Sequence, residues 1–263
     1  MVNLISINLL AIFRDRVFHG ILVVAAIFLM IPSISTLSMR QATELSITLS
    51  LSLLSVILLL LSVSLGATTL WKDIERRYTY SVLSLPAERT TYLLCKFVAV
   101  SIFLLLSAMV LGAVACIVVW VASGIYPSER PILWSNLVVC IIFTALKYIV
   151  LISYAFLFST ISTSFFLPIF GSIMIFLAGN ATQQAYDYIH SSASSSLSPL
   201  VKQAASFFYY LLPNFSAFDL QVNAIYGIAL SVKDVALPFI YFCIYTPLLI
   251  MLAAVIFARR EMK

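Results

Sequence analysis

Long runs of apolar residues set the strongest limit on what this chain can fold into. Hydrophobic residues make up 63% of the sequence and charged residues only 10%, whereas about a quarter of a soluble domain is charged. An apolar helix of about 20 residues crosses a bilayer. Six runs predict membrane spans at about residues 17–37, 45–70, 97–122, 136–161, 165–178 and 235–258. The sequence therefore predicts an all-α membrane protein with six transmembrane helices, in which residues 1–263 form one transmembrane domain.

Lysine and arginine are distributed unevenly between the two sides of these predicted spans. With the N-terminus in the cytoplasm, ten of the fifteen basic residues face the cytoplasm, four face outside and Lys147 lies within a span. Because cytoplasmic connections are enriched in Lys and Arg, this count predicts that both termini are cytoplasmic and that residues 179–234 form an external region. Residues 1–16 are then either an interfacial helix or a simple extension of the first span.

Sequence patterns for several chemistries are absent. Neither GxxxxGK[ST] nor HExxH occurs, so the chain has no phosphate-binding loop and no metalloprotease motif of its own. The four cysteines are scattered through apolar sequence without a CxxC pattern, which indicates buried thiols. The predicted spans have no Asp or Glu in their interiors, although ion-coupled transporters usually carry a buried carboxylate. We therefore expect no catalysis and no metal or cofactor bound by this chain, and we expect a partner to supply the energy for any transport.

Two features inside the predicted spans are candidates for a substrate pathway. Lys147 is the one ionisable side chain deep in a span. It either contacts a substrate or a lipid headgroup, or forms an ion pair across a subunit interface, or it is a lysine that snorkels or is solvated in a cavity. Small polar residues also recur at helical spacing along the second span. They are Thr48, Ser52, Ser55, Ser62, Gly66 and Thr69. This stripe either allows close helix packing or lines a translocation path.

The most highly charged segment, residues 74–96, lies between the second and third predicted spans. Its charged residues are Glu75, Arg76, Arg77, Glu88, Arg89 and Lys96. Pro86 interrupts the segment, and residues 87–90 open a new helix with Glu88 in its first turn, where a negative charge is favourable. The segment is either a solvated loop or a docking surface that transmits movement from a soluble partner into two spans.

The same segment carries the motif of a known transporter family. Residues 75–97 read ERRYTYSVLSLPAERTTYLLCKF, which resembles the stretch L-L-S-x-P-x-x-R-x-x-Y-x-x-G-K of ABC-2 type transporter permeases. Residues 212–219, LPNFSAFD, resemble the L-P-N-x-x-x-F element before the last span of that family. The copper-enzyme maturation and multidrug-type permeases look most similar. Tyr78 stands where the family often has Thr and Cys95 where it often has Gly, which affects local packing only.

The resemblance implies a role for each segment. The chain would be the transmembrane subunit of an ATP-driven exporter in a bacterial-type inner membrane. It would pair with a second permease copy or homologue, and with two cytoplasmic ABC ATPase subunits that bind ATP and Mg²⁺. Residues 74–91 would contain the coupling helix, and spans 2 and 5 would line the pathway at the dimer axis. The implied ATPase contacts are Glu75, Arg76, Arg77, Pro86, Glu88 and Arg89.

Two further expectations concern the substrate and the alternative to a transport function. A pathway with few charges suits a lipid, a hydrophobic drug or a peptide better than a bare ion, and Lys147 on that path would favour an anionic group. The alternative to an exporter is a membrane anchor or scaffold. Such a protein would recruit a soluble complex through the same charged segment without moving a substrate.

Overall fold

The computed structural model describes residues 2–13, 20, 27, 30, 31, 42–75, 89–125, 131–162, 164–190 and 198–259. Eight α-helices can be delimited in these residues, with one 3-10 turn, Ser216–Phe218, and no strand among them. The helices are α1 (Val2–Phe13), α2 (Ala42–Glu75), α3 (Arg89–Ile125), α4 (Trp134–Ile161), α5 (Phe166–His190), α6 (Pro199–Leu211), α7 (Gln221–Tyr226) and α8 (Val232–Arg259). The described part of the chain is therefore all-α, as the sequence predicts.

Five helices, α2, α3, α4, α5 and α8, are long and apolar enough to cross a membrane. The shortest has 25 residues, which at 1.5 Å per residue is about 37 Å and exceeds the hydrocarbon core of about 30 Å. Four of them contain the predicted spans 45–70, 97–122, 136–161 and 235–258 in full. The predicted first span, 17–37, lies outside the described residues except for isolated positions. The chain is a multi-pass helical membrane protein, and the cytoplasmic location of its termini remains a prediction.

Helix α5 extends further than the apolar run indicated. The predicted span ends at about residue 178, whereas the helix continues to His190, so part of the predicted external region 179–234 is helical. Polar residues end an apolar run without ending a helix, since Gln is a good helix former. Gln183 also donates a hydrogen bond to the Asp187 carboxylate one turn later, at 2.8 Å. The predicted end of this span was therefore twelve residues too early.

Helix α4 occupies the centre of the bundle. It contacts α2, α3, α5 and α8, and 83% of its most apolar window is buried inside the protein, against 22% for α5 and 28% for α8. Its sequence is apolar nearly all round, the pattern of a helix surrounded by other helices. Helix α1, within the lead segment predicted from residues 1–16, lies against α3. The remaining long helices are therefore arranged around α4.

Small residues let α2 approach α4 closely. A Cβ atom added at Gly66 would lie 2.8 Å from the Cβ of Ala155 on α4, closer than two side chains can come without a shift. One turn further along α4, the Ser159 hydroxyl donates a hydrogen bond to the Ala67 carbonyl at 3.3 Å. Close backbone approach through small residues is a main source of packing between membrane helices. A movement of α2 is thus transmitted directly to α4.

Helix α6 runs back along α5 as a helical hairpin. Tyr186 of α5 stacks on Tyr209 of α6 with ring centroids 4.1 Å apart. After α6, residues 212–215 lie against α5 at Gly179, where an added Cβ would overlap the Pro213 carbonyl oxygen. Gly179 is eleven residues below the end of α5, so the chain returns about 16 Å along that helix.

The short helix α7 fixes the connection to α8. It packs against α2 and α4 and ends at Gly227, whose φ of +63° lies in the left-handed region that glycine adopts readily. The Asn136 side chain of α4 donates hydrogen bonds to the carbonyls of Asn223 and Ile228, at 3.2 and 2.7 Å. These bonds tie the end of α7 and the residue after its cap to α4, in addition to the Gly227 N–H that the Asn223 carbonyl already accepts.

Candidate functional site

An ion pair joins α2 to α3 at the ends that flank residues 76–88. Asp73 lies in the last turn of α2, and its carboxylate forms a salt bridge with Lys96 and accepts a hydrogen bond from the Tyr92 hydroxyl. Tyr92 and Lys96 are four residues apart on α3 and share one helical face. The Lys96 ammonium also lies 3.4 Å from the Tyr92 hydroxyl. We call these three residues the Asp73 cluster.

Burial makes the ion pair of the Asp73 cluster important for the stability of the fold. The Lys96 side chain is only 5% exposed and the Asp73 side chain 20%. Removing one partner of a buried ion pair leaves an uncompensated charge and costs about 3–5 kcal/mol. A carboxylate near a helix C-terminus is also unfavourable on its own, because that end of the helix dipole is negative. Lys96 and Tyr92 offset this cost, so the ends of α2 and α3 are held together as a unit.

Two of the three residues of this cluster, Tyr92 and Lys96, were recognisable in the sequence as motif positions. The partner of Lys96 was not predicted, and Asp73 did not stand out. The predicted ATPase contacts Arg76, Arg77, Pro86 and Glu88 lie outside the described residues. Glu75 is the last residue of α2 and Arg89 the first residue of α3, where Arg89 is half-buried. The role of these six residues therefore remains a prediction, and the cluster lies immediately beside two of them.

The polar stripe predicted on α2 is divided between different environments. Ser52 is exposed on the surface of the bundle, whereas Ser62 is fully buried and donates to the Leu59 carbonyl at 2.8 Å. The Thr48 hydroxyl likewise donates to a carbonyl of its own helix, that of Glu44, at 2.8 Å. Gly66 packs on α4. For this part of the stripe the contacts are those of helix packing, and the pathway role stays a prediction.

Ser55 is the member of the stripe that the structure brings close to Lys147. Its hydroxyl forms a hydrogen bond of 2.6 Å with the hydroxyl of Tyr148 on α4, the neighbour of Lys147 in sequence. The Tyr148 ring in turn lies 5.9 Å from the ring of Phe176 on α5. A polar contact between α2 and α4 therefore lies at the middle of the bundle, next to its one deeply placed lysine.

Lys147 is buried among aromatic side chains. It is 8% exposed, and its ammonium lies 5.3 Å from the centre of the Phe176 ring, within range of a cation–π interaction. In the part of the chain that the structure describes, the ammonium has no hydrogen-bond or ion-pair partner. The carboxylate of Asp219, in the segment after the 3-10 turn, contributes to the electrostatic field at Lys147. The predicted pathway lysine is thus inside the protein and does not extend to the polar surface.

A cavity of about 320 Å³ lies between α8 and the segment that follows α6. Three of its lining residues are tyrosines, and none is charged. The lining residues are Tyr209, Leu212, Asn214, Ala217, Leu237, Pro238, Tyr241 and Tyr245. We call it the tyrosine cavity. Its position next to the residues 212–219 motif was not predicted, although the spacing of four between Tyr241 and Tyr245 places both on one face of a helix.

Comparison with known proteins adds no family assignment. The sequence matches no protein-family model, and no curated protein is significantly similar to it. Among the described residues, no group of three or more His, Cys, Asp or Glu side chains is placed to hold a metal ion. The candidate site therefore consists of three features of the bundle: the Asp73 cluster at one end, Lys147 near the middle and the tyrosine cavity beside α8.

Proposed function

We propose that this chain is the transmembrane permease subunit of an ATP-driven ABC exporter, coupled to a separate ATPase subunit. The Asp73 cluster carries the proposal. It ties together the two helices that flank residues 76–88, the segment whose sequence resembles the coupling region of ABC-2 type permeases. A segment that a partner displaces can couple that partner to the membrane helices only when the two helices that flank it move together.

The cluster gives this coupling a physical route. A soluble ATPase that binds the segment more tightly in one of its states biases the permease toward the matching state. Because Asp73 and Lys96 are paired and buried, the ends of α2 and α3 move as one body rather than separating. Helix α2 passes the displacement to α4, since Gly66 lies directly against Ala155. Within the described residues, this route runs from the Asp73 cluster along α2, through the contact of Gly66 with Ala155, and along α4 to Lys147.

The proposal extends to partners and substrate. A second permease copy would pack on the exposed apolar face of α5, formed by residues spaced three and four apart. These residues are Phe166, Phe170, Met174 and Leu177. Two ATPase subunits would bind ATP and Mg²⁺ at the cytoplasmic side of a bacterial-type inner membrane. The exported substrate is a hydrophobic or amphipathic molecule, since the transmembrane helices present few charges.

Site-specific photocrosslinking in the native membrane tests the proposal against the anchor alternative. A photoreactive amino acid placed at Glu88 should yield an adduct with a soluble subunit that contains a phosphate-binding loop. The matched control is the same amino acid at Trp120, an exposed residue near the opposite end of α3, which should yield no such adduct. An adduct of Glu88 with only non-ATPase proteins, obtained in repeated experiments, would replace the exporter with an anchor or scaffold.

A further inference from the structure

The tyrosine cavity has the size and construction of a small-molecule site. Its volume of about 320 Å³ lies at the lower end of the range of ligand pockets, about 300–1,000 Å³. The tyrosine rings, Leu212 and Pro238 supply an apolar wall. Leu237 lines the cavity and is 66% exposed, so the rim lies at the outer surface of α8. A hydrophobic molecule can therefore enter the cavity from the outer surface of the bundle.

Because the lining of the cavity carries no charge, we expect its ligand to be uncharged. No lining residue is acidic or basic, and an ion moved into such a site without a counter-charge loses several kcal/mol of hydration energy. A cation would recover part of this loss from the face of a tyrosine ring. However, Tyr241 and Tyr245 stack on each other with centroids 4.9 Å apart and an interplanar angle of 16°. One face of each ring is therefore already occupied, which leaves too little compensation for a buried cation.

Tyrosine hydroxyls provide the polar contact that an oxygen-bearing ligand requires. The Tyr245 hydroxyl is hydrogen-bonded to the hydroxyl of Tyr154 on α4, and the Tyr241 hydroxyl accepts the Asn214 N–H at 3.3 Å. The hydroxyls of Tyr154, Tyr245 and Tyr241 carry three donor hydrogens, and arranged in this order they can form at most two hydroxyl-to-hydroxyl links. At least one O–H of the three is therefore left to donate outside this row.

Asn214 holds the wall of the cavity in place. Its side-chain nitrogen donates to Gln183 at 2.7 Å and to the Tyr209 hydroxyl at 3.4 Å, and its side-chain oxygen accepts the Ala217 N–H at 3.1 Å. The side-chain groups of this asparagine are thus engaged within the protein. Asn214 organises the site instead of contacting the ligand, and a wall fixed before binding lowers the entropic cost of binding.

We infer that the tyrosine cavity binds an uncharged amphiphile that has an apolar body and a carbonyl or ester oxygen, the chemistry of a diacylglycerol. The apolar body packs on Leu237, Pro238 and the tyrosine rings, and the oxygen accepts the hydroxyl proton of Tyr241 or Tyr245. This site requires only the chain itself. Its test is independent of the ATPase partner, and a negative result leaves the exporter proposal unchanged.

Photolabelling of the purified chain in phosphatidylcholine nanodiscs tests this inference. The probe is a diacylglycerol with a diazirine in one acyl chain, and the labelled residues are identified by mass spectrometry. We expect labelling within residues 209–217 and 237–245, and we expect unlabelled diacylglycerol to compete it away. Phosphatidylglycerol with the same acyl chains should compete at least about tenfold more weakly, because its anionic phosphate is excluded from an uncharged site.

Two variants and two matched controls separate binding from folding. Leu237→Trp fills the rim from an exposed position and should abolish the labelling, whereas Leu248→Trp, also exposed on α8, should preserve it. Tyr241→Phe keeps the ring and should weaken competition by about two- to tenfold, the worth of one hydrogen bond. Tyr188→Phe, on the exposed side of α5, should leave competition unchanged. Labelling that persists in Leu237→Trp, or equal competition by phosphatidylglycerol, would overturn the inference.

Discussion

Replacing Lys96 by methionine is the most informative single change, because it removes one partner of the Asp73 cluster and keeps the volume of the side chain. The Asp73 carboxylate would retain the Tyr92 hydroxyl as a donor but lose the only counter-charge that pairs with it among the described residues. Breaking a buried pair costs about 3–5 kcal/mol. We expect the lower end, about 3 kcal/mol, since the Asp73 side chain is 20% exposed and water partly solvates it.

The second change in this series also removes the charge of Asp73, which Lys96→Met leaves without a partner. Asp73→Asn combined with Lys96→Met leaves a neutral amide that still accepts the Tyr92 hydroxyl proton, so the double variant should recover most of the lost stability. The measurement is reversible denaturant unfolding in mixed micelles, followed by tryptophan fluorescence. Lys233→Met, at an exposed lysine, is the matched control and should change stability by less than about 0.5 kcal/mol. A double variant as unstable as Lys96→Met alone would refute the reasoning.

Three further predictions follow from the packing and the charges. Gly66→Ala should cost about 1–3 kcal/mol of stability, because the added methyl overlaps α4, whereas Gly124→Ala, with nothing within 4 Å, should cost less than about 0.5 kcal/mol in the same unfolding assay. Lys147→Met should leave the unfolding temperature unchanged or raised, since a buried ammonium without an ion-pair partner destabilises a fold; a fall of several degrees would mean that it is paired. Charge reversal at Glu88 and Arg89 should lower stimulation of ATPase activity in the assembled complex, and unchanged stimulation would contradict the coupling role.

The positions of most helices could be predicted from the sequence because an apolar run of sufficient length leaves few alternatives in a bilayer. The spans 45–70, 136–161 and 235–258 lie inside helices of nearly the predicted extent. The continuation of α5 beyond residue 178 could not be predicted in this way. It is stabilised by contacts with α6, such as the stacking of Tyr186 on Tyr209, and hydropathy carries no information about such contacts.

Less of the candidate site than of the fold could be predicted from the sequence. Lys96 was recognisable as a charge beside a span, but its pairing with Asp73 joins residues on two different helices. Asn214 stood out within its motif, yet its bonds to Gln183 and Tyr209 depend on the way α6 folds back on α5. Tertiary contacts of this kind are set by packing, which local periodicity does not specify.

Purification of the chain from its native membrane in a mild detergent tests the central claim most directly. The account predicts that a soluble subunit with a phosphate-binding loop co-purifies in a one-to-one ratio and that the complex hydrolyses ATP. Charge reversal at Glu88 and Arg89 should reduce the recovery of that subunit, and Lys233→Met should not. Recovery of the chain alone, or with partners that lack ATPase activity, in several detergents would contradict the exporter proposal and favour an anchor.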